Sequence, residues 1–308
     1  MKLSDYGLGG AQIQMLMRSV KAGRIPHALL LSGPQGTGKR TLTRYLAQAI
    51  LCREPDAPCG SCPACKQFLS GNHPDVHVIS TTARSIGVDE IRALRDQLSL
   101  RPFEGGRHIV IIEQADKMTT AAQNALLKTL EEPSGDAVFL LITDLPGAIL
   151  QTIASRVRRL RFAPLTVDAC AKVLGGWGID EPRAHLLAGL AQGAVGRALA
   201  INENQNYLAL RDQVLASLKM LDALPRVARA ASLLQDAKES AQDALEIMEV
   251  VARDRMAAEN GATPHTDVEE IHLDGKRLLM GVMDMRKMLA SNVSFQSALE
   301  RTYLTIVK

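Results

Sequence analysis

Residues 33–40 read Gly-Pro-Gln-Gly-Thr-Gly-Lys-Arg, and they lie between two strongly patterned segments. Ahead of them, Ala28-Leu29-Leu30-Leu31-Ser32 is a short apolar run of the buried-strand type. Behind them, Leu42, Tyr45, Leu46 and Ala49 recur at helical spacing. Strand, glycine loop and helix in that order aim backbone N–H groups and a helix N-terminus at a phosphate. The pattern G-x-x-x-x-G-K is complete through Gly33, Gly38 and Lys39, with Gly36 between them. A surface turn rich in Gly and Pro is the alternative, and the flanking strand and helix argue against it. The junction commits this part of the chain to an α/β fold around a parallel sheet.

The loop departs from its pattern at the last residue. A Ser or Thr there supplies the hydroxyl that holds Mg²⁺ against nucleotide phosphates, but this chain has Arg40. A guanidinium carries five donors and no acceptor, so it cannot ligate a metal. Thr41 follows one residue later, about 100° round the helix, and faces elsewhere. A second departure comes after the strand Ile109–Ile112. Nucleotide hydrolases of this type end that strand with an Asp for the metal and often a Glu base; here Glu113 and Gln114 follow. The longer carboxylate still reaches a metal-bound water, but an amide is no base. Both departures predict weak or absent hydrolysis, with phosphate binding kept open by Lys39 and the loop amides.

The 308 residues suffice for two or three domains, and 46% hydrophobic with 22% charged residues is ordinary for a globular protein. No apolar run approaches the roughly 20 residues of a membrane span. The start, MKLSDYGLGG, lacks the apolar core of a secretory signal. The expected address is therefore the cytoplasm, with no membrane partner. A net charge of +3 does not by itself argue for nucleic acid, and 3% aromatics argue against a base-stacking surface.

Four of the five cysteines cluster as C-x6-C-x2-C-x2-C: Cys52, Cys59, Cys62 and Cys65. In a cytosolic chain such spacing favours a metal over disulfides. Four thiolates close a tetrahedral structural zinc site, and Pro55, Pro58, Gly60 and Pro63 suit the tight turns between them. An iron–sulfur cluster is the rival, but that run needs a further Cys where Leu69 stands. Free thiols are the third reading. His73 is expected to cap or pack within its His-Pro-Asp turn, and Cys170 to be a core thiol.

Three blocks follow along the chain. Residues 1–163 alternate strands (28–32, 77–80, 108–112, 138–143, 158–162) with helices (41–51, 88–100, 120–130), the last stopped by Pro133. Residues 164–205 are rich in Ala, Leu and Gly and read as helical. Residues 206–308 read as a helical bundle. There Val214, Leu215, Leu218 and Leu221 share a face, as do Ala244, Ile247, Met248 and Val251, and again Leu278, Val282, Met285 and Leu289. Residues 257–267 read as a polar connector.

Taken together, HALLLSGPQGTGKR, the cysteine module directly after the loop's helix, HPD at 73–75, NALLKTLEEPS at 124–134, ITDLP at 142–146 and ASRVRRLRF at 154–162 resemble the delta-prime subunits of the bacterial DNA polymerase III clamp loader. The resemblance spans the first 200 residues; beyond them only helical character and the ending SFQSALERTYL match. It implies an AAA+ organisation: an ATPase-like domain at 1–163 carrying a zinc module at 52–65, a helical lid at 164–205, and a helical collar at 206–308 that oligomerises. It implies a degenerate nucleotide site at Gly33, Gly36, Gly38, Lys39, Arg40, Glu113, Gln114 and Thr143, with ATP bound weakly or not at all. It implies a non-motor subunit that works with gamma/tau motor subunits and a delta subunit to place a sliding clamp on primer-template DNA. Arg156, in the retained Ser155-Arg156 pair, is implied to reach a neighbour's ATP as an arginine finger, although Val157 departs from the usual Cys. Arg197 stands one place late for nucleotide sensing. Without the resemblance, Arg156 reads as the start of a basic edge strand with Arg158, Arg159 and Arg161. The competing functions are an active AAA+ ATPase of motor or helicase-loader type and a zinc-dependent nucleic-acid binder.

Overall fold

The computed structural model describes residues 7–8, 10–103, 106–131 and 136–307. The chain divides into two compact units, residues 1–164 and 165–308.

The first unit is a five-stranded, wholly parallel sheet between two helical layers. In chain order it runs α1 (Ala11–Lys21), β1 (Ala28–Ser32), α2 (Lys39–Leu51), α3 (Pro63–Leu69), β2 (Val76–Ile79), α4 (Val88–Leu98), β3 (His108–Ile112), α5 (Thr120–Glu131), β4 (Ala137–Thr143), α6 (Gln151–Ala154) and β5 (Arg158–Arg161). The strands lie in the order β2-β3-β4-β1-β5. Every residue of β1, β3 and β4 is buried. Those apolar runs do not alternate because both faces of the sheet are covered. Leu30, Val110, Ile112, Phe139 and Leu141 face α4, α5 and α6. Leu29, Leu31, Ile109, Ile111, Val138 and Leu140 face α1 and α2. Each fully buried Leu or Ile contributes about 1.5–3 kcal/mol. The edge strands β2 and β5 are only partly covered, and that is where polar and basic residues enter the sequence.

The order of strands puts the turn after β1 at a reversal point of the sheet, where open α/β folds bind ligands. Helix α2 starts at Lys39, two residues before the expected start, because Gly38 takes a left-handed conformation (φ 89°) and launches it. The proline stop expected for α5 lies outside the described residues.

The second unit is all helical: α7 (Val167–Gly175), α8 (Glu181–Leu190), α9 (Val195–Glu203), α10 (Gln205–Lys219), α11 (Val227–Ser232), α12 (Ala241–Glu259), α13 (Gly275–Ala290) and α14 (Phe295–Val307). Thr166, Asp180, Asn204 and Asp274 accept the first free N–H groups of α7, α8, α10 and α13. Such caps are each worth about 1 kcal/mol. A single buried cluster runs from Cys170 through Leu187, Val214, Ile247 and Met285 to Ile306, so apolar residues on both sides of position 205 share one core. Cys170 is fully buried within it, as expected for a core thiol. The expected connector at 257–267 is shorter: α12 continues to Glu259, and Thr266 is buried with its hydroxyl donated to the Asp254 carboxylate. No single helix among the described residues is long and apolar enough to cross a membrane.

Candidate functional site

The glycine loop is built for close backbone approach. A side chain at Gly33 (φ 148°) would put its Cβ 2.2 Å from the Phe162 carbonyl oxygen. Gly36 is also left-handed, with φ 77°. The loop's three charged or polar anchors are all occupied from within the protein. Lys39, only 4% exposed, donates from Nζ to the carbonyls of Gly33 and Pro34, each at 2.6 Å, and pairs with Asp144 at 2.8 Å. Arg40 Nη2 lies 2.6 Å from Glu113 Oε2, across 73 positions of sequence. Thr143 is fully buried and donates its hydroxyl to Asp116 Oδ1 at 2.7 Å, while its oxygen accepts from Leu145 N. Gln114 sits next to the pair in the left-handed region, φ 54°.

The Arg40–Glu113 contact has direct chemical meaning. The two positions that the sequence pattern associates with Mg²⁺ form an ion pair with each other. The guanidinium offers no lone pair, and Glu113 has its charge matched without a metal. Asp116 and Asp144 were not singled out from the sequence. The signal was available in their spacing, since Asp116 follows the β3 end by four residues and Asp144 directly follows Thr143. Their pairing with Thr143 and Lys39 is set by the sheet register and not by local sequence.

Arg156 lies in the turn between α6 and β5, well away along the chain from the loop. Its side chain is 43% exposed and pairs with Glu131 Oε1 at 2.8 Å. It also donates to the Thr152 carbonyl at 3.1 Å and to Ser155 Oγ at 3.3 Å. Arg158 and Arg161 are exposed on the edge strand. Arg159 differs from the expectation of a merely solvated basic run, because its Nε donates to the Ala154 carbonyl at 2.9 Å and closes the end of α6. Arg197 is half-buried in the helical unit, where its guanidinium pairs with Glu246.

The four clustered cysteines converge. Their sulfurs all lie within 4.8 Å of one another, with Cys59–Cys65 at 4.0 Å and Cys52–Cys62 at 3.9 Å. Cys52 caps the end of α2, while Cys62 and Cys65 open α3, so the end of one helix and the start of the next bring them together. The Ser61 and Cys62 backbone amides hold the Cys59 thiol down to about 6. Burial pushes Cys65 up to about 12. A bound cation supplies the charge that burial withholds, so all four can bind a metal as thiolates. His73 stays out of this set: it is 5% exposed, and its Nδ1 accepts from the Asp75 backbone N–H at 3.2 Å.

A family model described as DNA polymerase III, delta subunit, matches residues 9–166. The chain is 31% identical over 314 residues to DNA polymerase III subunit delta' of Bacillus subtilis, which covers 96% of this chain and 94% of that one. It is 46% identical over 205 residues to subunit delta' of Pseudomonas aeruginosa, covering 63% of this chain and 61% of the relative. The crystal structure of a DNA polymerase III gamma subunit-related protein from Thermotoga maritima superposes with a TM-score of 0.51 at 19% identity, over 96% of this chain and 98% of that one. At that identity the likeness concerns the fold.

Proposed function

The chain belongs to the DNA polymerase III delta-prime subunit family, and from that premise we propose that it is a clamp-loader subunit that hydrolyses no ATP itself and completes a neighbour's ATP site. The AAA+ fold and the clamp-loader context follow from the relatives. The finer reading rests on one observation. Arg40 and Glu113, at the two metal-ligand positions, neutralise each other at 2.6 Å. With Gln114 in place of a base, the loop lacks both metal ligation and water activation.

Arg156 carries the positive role. A guanidinium stabilises charge developing on a transferred phosphoryl group, and such fingers are worth roughly 10³–10⁵ in rate. Its position in an exposed turn at the edge of the sheet, held by an ion pair that solvent screens, supports service to another subunit. The partners in this reading are gamma/tau motor subunits, a delta subunit, the sliding clamp, and primer-template DNA reached through the complex. Residues 164–205 act as a lid and 206–308 as the assembling collar.

The cysteines hold a structural zinc. Tetrahedral zinc with Zn–S near 2.3 Å separates its sulfurs by about 3.8 Å, close to the two separations found. Four thiolates close the coordination sphere, and the metal's contribution is to fix α2 against α3.

The test is ATP hydrolysis by the purified chain, alone and mixed with motor subunits. Alone it should be inactive; mixed, it should be required for full DNA-stimulated turnover. Turnover of about one per second by the pure chain, typical of a working ATPase, and lost in Lys39→Ala, would establish the active-ATPase reading instead.

A further inference from the structure

The four clustered cysteines do not share one environment. Cys52 and Cys65 are buried, at 7% and 0% exposure, while Cys59 and Cys62 are only half-buried. Hydrogen-bond donors are spread as unevenly. Cys59 Sγ takes three: the Ser61 hydroxyl at 3.6 Å, the Cys62 N–H at 3.3 Å and the Ser61 N–H. Cys62 Sγ takes one, the Cys65 N–H at 3.5 Å. Cys65 Sγ takes the Gly60 N–H and the Gln48 amide. Cys52 Sγ is met by the Cys62 sulfur at 3.9 Å and, among the described residues, by no N–H or O–H donor.

With zinc bound, the reading on which this inference rests, all four sulfurs are thiolates and together carry more charge than the ion cancels. A thiolate is the nucleophilic form of cysteine. Each hydrogen bond to it stabilises the anion, and nucleophilicity falls as the anion is stabilised. Cys59 is therefore accessible but quenched by three donors. Cys52 is unquenched but buried, and Cys65 is both buried and hydrogen-bonded. Cys62 alone combines access with a single donor.

We propose that Cys62 is the reactive thiolate of this cluster, a site of covalent modification by small soft electrophiles, and that Ser61 is a positioning residue whose hydroxyl keeps Cys59 from competing. With a maleimide, the Cys62 sulfur lone pair forms a C–S bond to one alkene carbon. The alkene π pair moves to the neighbouring carbon, which takes a proton from water and leaves hydroxide. The thioether formed is neutral, so the cluster loses one of its four anionic ligands. Modification at Cys62 thereby loosens the link that fixes α2 against α3.

The test uses the full chain, its zinc content first measured by elemental analysis, and less than one equivalent of N-ethylmaleimide. Peptide mass spectrometry locates the first adduct, and a chromophoric chelator follows zinc release. The adduct should form on Cys62 at least about tenfold faster than on Cys59, the effect of two fewer hydrogen bonds, with zinc released in step. Ser61→Ala, at an exposed position, should raise the Cys59 rate about threefold and leave the Cys62 rate unchanged. Ser61→Thr keeps the hydroxyl and should match the wild type. Three results would each overturn the proposal: a first adduct on Cys52 or Cys59, equal rates at Cys59 and Cys62, or a wild-type pattern in Ser61→Ala. A chain without zinc would sink the zinc reading, and this inference with it, before any reagent is added. A zinc-bearing chain that reacts first at Cys59 sinks the inference alone.

Discussion

Replacing Arg156 by Ala separates a weak structural role from a strong catalytic one, because the two differ by orders of magnitude. In the isolated chain Arg156 is 43% exposed, as is its partner Glu131. Exposed pairs of that kind contribute about 0.2–1 kcal/mol. Adding the exposed bonds to the Thr152 carbonyl and to Ser155 Oγ keeps the expected loss near 1 kcal/mol, a shift of about 2–4 °C in the melting of a unit this size. As a finger, the same guanidinium is worth roughly 10³–10⁵ in the rate of the site that it serves. That site should fall silent while the others continue. In a complex with n equal sites, DNA-stimulated hydrolysis then drops by about 1/n, and clamp loading drops further if every site must fire.

Glu131→Gln is the informative companion. If Arg156 must leave Glu131 to reach a neighbour's phosphate, removing the carboxylate returns the cost of that pair. By the same 0.2–1 kcal/mol, the served site should speed up about 1.4- to 5-fold. A pair with only a structural role predicts no gain. Arg158→Ala on the exposed edge strand is the control; Arg159 is unsuitable, since it closes α6 through the Ala154 carbonyl. If Arg156→Ala complexes hydrolyse ATP and load clamps at wild-type rates, and Glu131→Gln changes neither, Arg156 is a surface ion pair and the finger assignment fails.

Cys62→Ser should lower bound zinc from about one per chain to near zero and cut thermal stability, because a closed thiolate site contributes folding energy outright; full zinc occupancy in that variant would remove the ligand assignment. Arg40→Thr should create Mg²⁺-dependent nucleotide binding, measured with a fluorescent nucleotide with and without chelator, while hydrolysis stays low because Gln114 remains; an unchanged variant would mean that Arg40 is not the block. Lys39→Met should cost about 1–3 kcal/mol in denaturant unfolding without nucleotide, since it strips a shared donor from Gly33, Pro34 and Asp144; an unaltered midpoint would reassign the lysine to ligand binding alone. His77, half-buried 3.2 Å from His108, has its pKa pushed down by burial first and by His108 second. The unfolded chain therefore takes up its proton first as pH falls, so this contribution to stability is present above the ordinary histidine value of about 6.5 and is lost as pH drops from there through the folded value. Urea midpoints between about pH 7.5 and pH 5 should fall more steeply in the wild type than in His77→Gln, and parallel slopes would contradict this.

The strands of the sheet were plain from the sequence because β1, β3 and β4 are buried on both faces, and nothing but unbroken apolar residues satisfies that. The cysteine cluster was equally plain, since three of its four members fall within seven residues and local turns bring them together. What the sequence concealed are the partners. Arg40 meets Glu113 across 73 positions, Lys39 meets Asp144 at the end of a neighbouring strand, and Arg197 meets Glu246 in another helix. Each contact is fixed by strand order or helix packing, and spacing along the chain does not encode either. The buried cluster shared across residue 205 was hidden for the same reason: the composition of the two blocks differs, but their apolar faces meet.

These partners change what an intact phosphate-loop lysine means. Lys39 alone would argue for nucleotide binding, since the residue is the loop's main phosphate contact. In this chain it is 4% exposed and already has three oxygen partners supplied by the protein. A nucleotide would have to displace Asp144 from Lys39 and Glu113 from Arg40 before its phosphates gained either charge. The loop thus has a reason to keep Gly33, Gly38 and Lys39 that does not involve ATP: they close the turn after β1 at the reversal point of the sheet. Arg156 has the opposite character. Its partner is exposed, solvent-screened and replaceable, so it can be given up to another molecule at small cost. In the proposed reading, the contrast between Lys39, its side chain 5% exposed and locked inside, and Arg156, held loosely at the edge, directs this subunit's chemistry outward.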